Sequence, residues 1–422
     1  MSCGSPGVAT KAETGREIFT TRTVTEALAG FRPARRTPAE PVPLDRAWHR
    51  VPAGPVTAPH ALPGFARSTV DGYAVRAADT YGVSDGLPGY LRVTGAVAMG
   101  PKMDTAPSVT VGPGAAVSMP TGGVLPPGAD AVIMIEYTQQ VMPGTVEVVR
   151  PVAPGEGVVR ADEDAAPGAE LVPAGRPLRA QDLAMLAAAG VTTVSAHARP
   201  RTTIFSTGDE VVPPETATLR PGQVRDATAV ALAAMTAEAG GEPVLSGIVP
   251  DDPGALETAL RAALPASDLI VISAGSSVGA RDETAGVVGR LGTIWCHGLA
   301  VKPGKPTLLA ECDGVPVIGL PGNPRSALVV FRLLGVPLVR LVGGCTAAPA
   351  EPAARARLAR DLPSAAGRLD VVQVRVSQGV ATPVFGPSAL LSVITAADGY
   401  VIIPEEATGL DAGTEVDVTI YR

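Results

Sequence analysis

The stretch "SDLIVISAGSSVGARDETAGVVGRLG", residues 267–292, decides the fold. Its segment "DLIVIS" is a short, continuous apolar run, which is typical of a strand buried on both faces. A Gly/Ser loop follows this run, and "ETAGVVGRLG" then has a helical pattern. A strand, a loop and a helix in this order predict an α/β unit.

The same unit recurs from about residue 199 to 345. There, "RTTIFS", "PVLSGIV" and "VPVIGL" are each followed by a helical pattern, so we predict an α/β domain over 199–345 with a largely parallel sheet. Short strands broken by Pro and Gly predict a β-rich domain over 56–168 and a small C-terminal β domain over 346–422. Two further helices are predicted, "TVTEALAGF" with Thr25 as its cap and "LRAQDLAMLAAAG" ending at Gly190.

Composition excludes several classes of protein. The net charge of -7 argues against a general nucleic-acid binder. No apolar run approaches the length of a membrane span, and the N-terminus lacks a signal-peptide segment, so we expect a cytoplasmic location. The four cysteines have no CxxC spacing and the four histidines form no cluster. Any metal should therefore have oxygen ligands, which favours Mg²⁺ over zinc.

Three loops should meet at one edge of the sheet, because ligands bind beyond the carboxyl ends of parallel strands. Their glycines and helix N-termini suit a phosphate-bearing ligand, although none matches a P-loop or a dinucleotide fingerprint. The candidate binding residues in these loops are Ser206 and Gly208 in the first, Ser273, Gly275, Ser276, Ser277 and Gly279 in the second, and Pro321, Gly322, Asn323, Pro324 and Ser326 in the third.

Three acidic residues, Glu210, Asp251 and Asp282, should lie near the same edge. Carboxylates beside a phosphate site commonly hold Mg²⁺, directly or through water. The alternative is that Asp251 caps the helix starting at Pro253 and that Asp282 or Glu283 caps the next helix. For the set of three, we predict a metal site.

The stretch "VKPGKP" contains two of the four lysines in a chain whose other basic residues are arginines. Lys302 and Lys305 are compact charges in a loop that proline stiffens, which suits a receiver of an oxyanion. In the β-rich region, "VDGYA" holds Asp71 and "PTGG" holds Thr121. Both motifs are also common turn signals.

Taken in order, "STVDGYAV", "MPTGG", "FSTGDE", "SAGSSVGARD", "VKPGKP" and "GLPGNPRSA" resemble the molybdopterin molybdenumtransferase family, which includes bacterial MoeA and the E domain of gephyrin. The resemblance runs from about residue 20 to the end. It implies a homodimer of elongated four-domain subunits, with a MogA-like α/β domain and a discontinuous linker or dimerisation domain formed by 19–55 and 169–198. It also implies insertion of molybdenum from molybdate into adenylylated molybdopterin, with release of AMP and a need for Mg²⁺.

The resemblance also assigns roles to residues, in a cleft between the α/β domain of one subunit and the "DGYA" domain of the other. The metal ligands that it implies are Glu210, Asp251 and Asp282. The anion-binding residues that it implies are Lys302 and Lys305. Arg368 and Ser388 are placed near the pterin. The catalytic set that the family implies is Asp71, Thr121, Asp164, Glu210, Asp251 and Asp282.

Two departures, Val70 before Asp71 and "SAGSSVG", favour a paralogous branch and leave molybdate and tungstate as alternatives. A non-catalytic pterin-binding scaffold and a molybdopterin adenylyltransferase are the competing functions. The acidic set argues against the scaffold, and the "DGYA" and "TGG" elements argue against the adenylyltransferase. A MogA-type adenylyltransferase is a candidate partner, whereas nucleic acid and membrane are not expected partners.

Overall fold

The fold is described from a computed structural model of the chain. The structure describes residues 21–99, 109–273, 278–347 and 353–421, and it describes residues 278–282 in their backbone only. Among these residues, no helix is both long enough and apolar enough to cross a membrane.

The first half of the chain consists mainly of short strands. Its helices are α1 (Val24–Gly30) and α2 (Ala180–Ala188). Its strands are β1 (Ala39–Pro43), β2 (Val56–Thr57), β3 (Arg67–Ser68), β4 (Gly72–Val75), β5 (Gly89–Ala96), β6 (Ala115–Met119), β7 (Ala131–Met134), β8 (Thr138–Met142), β9 (Thr145–Val148), β10 (Val158–Val159), β11 (Glu170–Val172) and β12 (Thr193–His197).

Three buried clusters organise these strands. Six strands form a sheet in the order β7-β4-β6-β5-β9-β8, with one cluster that includes Val75 and another that includes Ala74. Segments far apart in sequence form the third cluster, because β1 pairs with β12 and β2 pairs with β11, both antiparallel. Val42, Leu178 and Val194 are buried together there.

The α/β region follows. Its strands are β13 (Arg201–Thr207), β14 (Val211–Val212), β15 (Val224–Arg225), β16 (Glu242–Val249), β17 (Leu269–Ser273), β18 (Gly292–His297), β19 (Val301–Lys302), β20 (Leu308–Cys312) and β21 (Val315–Leu320). Its helices are α3 (Ala227–Glu238), α4 (Pro253–Ala263), α5 (Val278–Leu291), α6 (Pro324–Val330) and α7 (Val336–Val342), with a π-turn at Phe331–Gly335 between the last two.

The predicted largely parallel sheet is confirmed. Its order is β16-β13-β17-β21-β20-β18, and the first four strands are parallel to one another. Every residue of β17 is buried. Leu269 and Val271 face one core, while Ile270 and Ile272 face the other, because successive side chains of a strand point to opposite faces. The sequence analysis did not identify β18 and β20, and β20 runs antiparallel to both of its neighbours.

The last part of the chain forms a small sheet. It contains β22 (Ala353–Leu358), β23 (Leu362–Pro363), β24 (Leu369–Ser377), β25 (Val380–Pro383), α8 (Ser392–Thr395), β26 (Gly399–Ile403), β27 (Gly409–Leu410) and β28 (Glu415–Ile420). The sheet order is β19-β24-β25-β22-β28-β26, so the strand that carries Lys302 belongs to this sheet. Val301 pairs with Leu369 and Lys302 with Asp370, which joins the lysine loop to the C-terminal region.

The predicted cap of α1 is wrong, and the capping alternatives for the acidic residues do not hold. Thr23, and not Thr25, caps α1, because its hydroxyl accepts a hydrogen bond from the Glu26 N–H and Glu26 bonds back to the Thr23 N–H. Asp252, and not Asp251, caps α4 by accepting from the Ala255 N–H at 2.6 Å. Neither Asp282 nor Glu283 caps a helix, since α5 has already begun at Val278. The predicted end of α2 is confirmed, with Gly190 at a φ of +76° just beyond its cap.

Candidate functional site

The strands that precede the three predicted loops, β13, β17 and β21, are adjacent and parallel, so their carboxyl ends lie at one edge of the sheet. A cavity of about 350 Å³ opens there, and its lining includes Ser206, Ser273, Gly322, Asn323 and Pro324. Both serines are buried, and the hydroxyl of Ser206 has no hydrogen-bond partner in the described part of the chain. An unsatisfied buried hydroxyl suits a polar ligand, because leaving such a group unpaired is costly. We name this space the edge cavity.

Glu210 also lines the edge cavity, and its position explains the glycine at 208. Gly208 has a φ of +136°, and a Cβ atom at this position would come within 2.6 Å of Glu210 Oε2. Any side chain at residue 208 would therefore displace this carboxylate.

Asp251 lies beside two other acidic residues. Its backbone N–H donates to Asp209 Oδ1 at 3.2 Å. The pKa of Asp251 is raised, chiefly by partial removal from water and also by the negative charges of Glu210 and Asp209, while a hydrogen bond from the Asp209 backbone to the Asp251 carboxyl acts in the opposite direction. A cation bound next to these carboxylates would relieve their repulsion. The structure thus brings two of the three predicted metal ligands into electrostatic contact.

The remaining predicted ligand, Asp282, lies on α5 at a position whose side chain is outside the described residues. Gly275, Ser276 and Ser277 are also outside the described residues, and Gly279 is described only as part of the α5 backbone. Among the side chains that are described, no group of three or more His, Cys, Asp or Glu residues could hold a metal ion.

A larger cavity of about 800 Å³ surrounds the lysine loop, and we name it the cationic cavity. The predicted residues that line it are Lys302, Lys305, Asn323, Ser326, Arg368 and Ser388. Asn323 lines both cavities, which therefore adjoin at the loop after β21. These six residues come from four separate stretches of the sequence, and the fold brings them to one cavity.

Asp370 fixes two of the cations in this cavity. Its carboxylate is almost fully buried and accepts from Arg368 Nε at 2.8 Å, while Lys302 Nζ lies 3.8 Å from the other carboxylate oxygen. Lys305 has no carboxylate partner within the described residues, and its side chain is exposed. One lysine is therefore tied to the C-terminal sheet, and the other is free to meet a ligand.

Asp71 and Thr121 contact each other but line neither cavity. Asp71 Oδ1 accepts from the Thr121 N–H at 2.7 Å and from its hydroxyl at 3.0 Å. These two bonds, the backbone bond first, lower the pKa of the Asp71 carboxyl. Asp164 is exposed, and its N–H donates to the Leu62 carbonyl at 2.9 Å. The predicted catalytic residues of the β-rich region thus lie outside the two cavities of their own chain.

Comparisons with known proteins cover almost the whole chain. Residues 22–190 match the family model for the MoeA N-terminal region (domain I and II), and residues 355–421 match that for the MoeA C-terminal region (domain IV). Residues 203–341 match the model described as "Probable molybdopterin binding domain". The chain is 32% identical to molybdopterin molybdenumtransferase 2 of Mycobacterium tuberculosis, over 94% of this chain and 97% of that protein.

The chain belongs to the molybdopterin molybdenumtransferase family. A molybdopterin molybdenumtransferase of Nostoc sp. is 37% identical over 72% of this chain and 70% of its own length. The crystal structure of a molybdopterin biosynthesis MoeA protein from Pyrococcus horikoshii OT3 superposes with a TM-score of 0.82 at 30% identity, covering 95% of this chain and all of that one. The predicted family and multidomain architecture are confirmed.

In this member of the molybdopterin molybdenumtransferase family, sequence reasoning missed three residues of the site. Asp209 lies in "FSTGDE", and Asp370 lies in "GRLD" with Arg368, but neither was given a role. Arg325 lies between Pro324 and Ser326, both of which were predicted, and it lines the cationic cavity. For all three the signal was present, since each lies within a motif that contains a predicted residue. The pairing of β19 with β24 is what reveals the role of Asp370 beside Lys302.

Proposed function

We propose that this protein inserts molybdenum from molybdate into adenylylated molybdopterin, with release of AMP and formation of molybdenum cofactor. Its relatives are named for this transfer. One structural observation carries the proposal: a cavity lined by two lysines and two arginines adjoins, at Asn323, a cavity whose lining includes two serines and two carboxylates. The first suits an oxyanion, and the second suits the phosphate end of a nucleotide.

The residues around the two cavities bind and orient the reactants. Lys302, Lys305 and Arg368 neutralise the negative charge of the oxyanion and the pterin phosphate. Ser206, Ser273 and Asn323 are positioned to bind the nucleotide phosphate. The phosphoanhydride of the substrate is already activated, so the transfer requires no side-chain nucleophile, and holding both substrates in register is the main catalytic contribution.

Mg²⁺ is part of the proposal. The carboxylate of Glu210 lines the edge cavity, and its negative charge adds to burial in raising the pKa of Asp251, so these two neighbouring carboxylates are the candidate oxygen ligands. Mg²⁺ usually keeps several waters and binds through one or two carboxylates together with substrate phosphates, so two described carboxylates suffice. When bound, the ion would neutralise charge on the phosphoanhydride. Asp282 is proposed as a third ligand.

The proposal includes the assembly of the protein. We infer a homodimer, with 19–55 and 169–198 forming a discontinuous linker or dimerisation domain, and with 56–168, 199–345 and 346–422 as the other three domains. The shared core of β1, β2, β11 and β12 supports the discontinuous domain. Asp71, Thr121 and Asp164 are proposed to complete the site of the partner subunit. A cytoplasmic location and delivery of the substrate by a MogA-type adenylyltransferase belong to the same proposal.

The decisive experiment incubates the purified protein with adenylylated molybdopterin and Mg²⁺, with molybdate, with tungstate or with neither oxyanion. The readouts are AMP release and reconstitution of a molybdenum-dependent apoenzyme. We expect AMP release that depends on an oxyanion. The oxyanion that supports this release identifies whether the inserted metal is molybdenum or tungsten. Tight pterin binding without AMP release under either oxyanion would instead indicate a scaffold. Consumption of ATP with unmodified molybdopterin would indicate an adenylyltransferase.

Asp282→Ala tests the proposed acidic set. We expect the variant to lose AMP release and to keep its oligomeric state, because the substitution removes an Mg²⁺ ligand and leaves the rest of the chain unchanged. AMP release at several Mg²⁺ concentrations, together with size-exclusion chromatography and light scattering, is the measurement. Normal turnover in this variant would remove Asp282 from the mechanism.

A further inference from the structure

The cationic cavity holds more positive charge than the predicted residues supply. Lys302, Lys305 and Arg368 line it, and Arg325 adds a fourth cation. The carboxylate in contact with these groups is Asp370, which is already bonded to Arg368 and paired with Lys302. A cavity with this excess of positive charge favours an anionic ligand.

Arg325 differs from the other cations of the cavity in having a buried donor without an acceptor. Its Nη1 donates to the Gly386 carbonyl at 2.9 Å, whereas Nε is buried and has no acceptor among the described residues. No carboxylate lies within ion-pair distance of its guanidinium in the described ranges. Burial lowers the pKa of Arg325, although an arginine side chain remains protonated at any physiological pH. A partly buried, charged group that has no carboxylate partner favours an anionic acceptor.

Arg332 provides a contrast within the same helical run. Its Nε is also buried without an acceptor, but its two Nη groups lie 3.3 Å from the Glu238 carboxylate oxygens. Arg332 does not line the cationic cavity. Arg332, which does not line the cavity, is therefore paired with a carboxylate, whereas Arg325, which lines it, has no carboxylate partner among the described residues. This difference argues that the partner of Arg325 is a ligand.

We propose that Arg325 binds a tetrahedral oxyanion group of the substrates in the cationic cavity. The inference rests on the proposed function and deepens it by adding a substrate-binding residue. The anion comes from one of two sources, molybdate itself or the phosphate of the pterin nucleotide, and both present oxygen atoms that a planar guanidinium binds in pairs. The bond to Gly386 connects Arg325, in the first turn of α6, to the loop that carries Ser388.

A purely structural role for Arg325 makes a different prediction. If its bond to Gly386 only ties two loops together, then any side chain that can donate to that carbonyl should suffice. Glutamine can donate through its amide and has no charge, whereas lysine keeps the charge and loses the planar fork. Arg325→Gln and Arg325→Lys therefore separate the two roles, and Arg332→Gln is the matched control.

The experiment uses the full chain and its three variants in two binding titrations. One arm titrates molybdate alone by calorimetry, and the other titrates adenylylated molybdopterin without molybdate or Mg²⁺ by fluorescence. We expect Arg325→Gln to weaken binding at least about tenfold in one arm, as loss of a charge-assisted hydrogen bond does, with Arg325→Lys weakened less and Arg332→Gln unchanged. The arm that responds identifies the source of the anion.

Two results would overturn the inference: binding by Arg325→Gln equal to that of the wild type in both arms, or Arg325→Lys weaker than Arg325→Gln in both. Melting temperatures show whether each variant is folded, and if Arg325→Gln is not, Arg325→Met takes its place with the same expected loss. The binding arms do not require turnover. If the wild type binds both ligands but releases no AMP, the proposed function fails. The role of Arg325 is then still decided by the relative binding affinities of the variants.

Discussion

Lys305 differs from Lys302 in having no acidic neighbour among the described residues, so a ligand can take its full charge. We predict that Lys305→Ala raises the molybdate concentration required for half-maximal AMP release by about tenfold, as loss of one charge-assisted contact does. The measurement is the molybdate dependence of AMP release at saturating pterin nucleotide. Lys305→Arg, which keeps the charge, is the control. An unchanged molybdate dependence in Lys305→Ala would assign this lysine to the nucleotide or to the fold.

The hydrogen bonds between Thr121 and Asp71 stabilise the ionised carboxylate. Because the pKa of Asp71 is lowered in the folded state, this stabilisation is present above the unfolded pKa and is lost as the pH falls through the folded pKa. We predict that Thr121→Val raises the pKa of Asp71 but leaves it below the unfolded value, since the backbone N–H remains. An NMR titration of the Asp71 carboxyl carbon measures this. Equal pKa values in the variant and the wild type would contradict the geometry.

Candidate binding residues could be predicted from the sequence where they lie in a recognisable short motif. Lys302, Lys305, Asn323, Ser326, Arg368 and Ser388 were all predicted from sequence, and they share one cavity. Asp370 lies in the same "GRLD" stretch as Arg368, but its contact with Lys302 could not be predicted in this way. Its importance comes from the pairing of two strands that are far apart in the chain, and no local pattern encodes such a pairing.

At the scale of single elements, the loop before α4 offers two neighbouring aspartates with opposite effects. Asp252 caps the helix, whereas Asp251 has a raised pKa beside Asp209 and Glu210. Because the pKa of Asp251 is raised in the folded state, its contribution to stability is present below the unfolded pKa and is lost as the pH rises through the folded pKa. We predict that Asp251→Asn melts at a higher temperature than the wild type at pH 7 without Mg²⁺, and that it loses Mg²⁺-dependent AMP release.

The matched variant for this test is Asp252→Ala. It should lose about 1 kcal/mol of folding stability through loss of the helix cap, without the same effect on Mg²⁺ dependence. Thermal melting between pH 4 and pH 7 measures both variants. A lower melting temperature for Asp251→Asn at pH 7 would show that Asp251 stabilises the fold, against the repulsion described above.

Helix and strand types were predictable where the apolar pattern was strong, and boundaries were not. The runs that became β13, β17 and β21 were recognised by their apolar residues, and their parallel order places their carboxyl ends at one edge of the sheet. β18 and β20 were missed. The predicted cap of α1 was two residues away from Thr23, and the capping alternative for α4 named Asp251 where Asp252 is the cap. Neighbouring Thr or Asp residues compete for the same role, and only the backbone geometry selects one.

At the scale of the whole molecule, the separation of Asp71 from the two cavities has a direct test. If each site combines the α/β domain of one subunit with the "DGYA" domain of the other, then inactive variants in the two domains should complement each other. We predict that Asp71→Asn and Glu210→Gln are each inactive alone. Refolded together in equal amounts, they should recover about a quarter of wild-type AMP release, because half of a random mixture is mixed dimers with one intact site each.

The control for complementation is a mixture of Glu210→Gln and Asp251→Asn, whose substitutions lie in the same domain. That mixture should stay inactive, since every mixed dimer has a defect in both α/β domains. Recovery in the control, or no recovery in the first mixture, would mean that Asp71 and Glu210 do not serve one site across two subunits. The oligomeric state of each mixture is checked by light scattering.

The pairing of β19 with β24 has a consequence for how the protein is made. Val301 and Lys302 leave the ribosome well before Leu369 and Asp370, roughly 70 residues earlier, which at ~5–20 residues per second is a delay of several seconds. During that interval the nascent lysine loop has no neighbouring strand and no Asp370 to hold Lys302. The anion-binding face of the enzyme is therefore completed late in translation. A chain truncated before Leu369 would contain all the strands of the α/β sheet, but its lysine loop would lack the partner strand β24 and the carboxylate of Asp370.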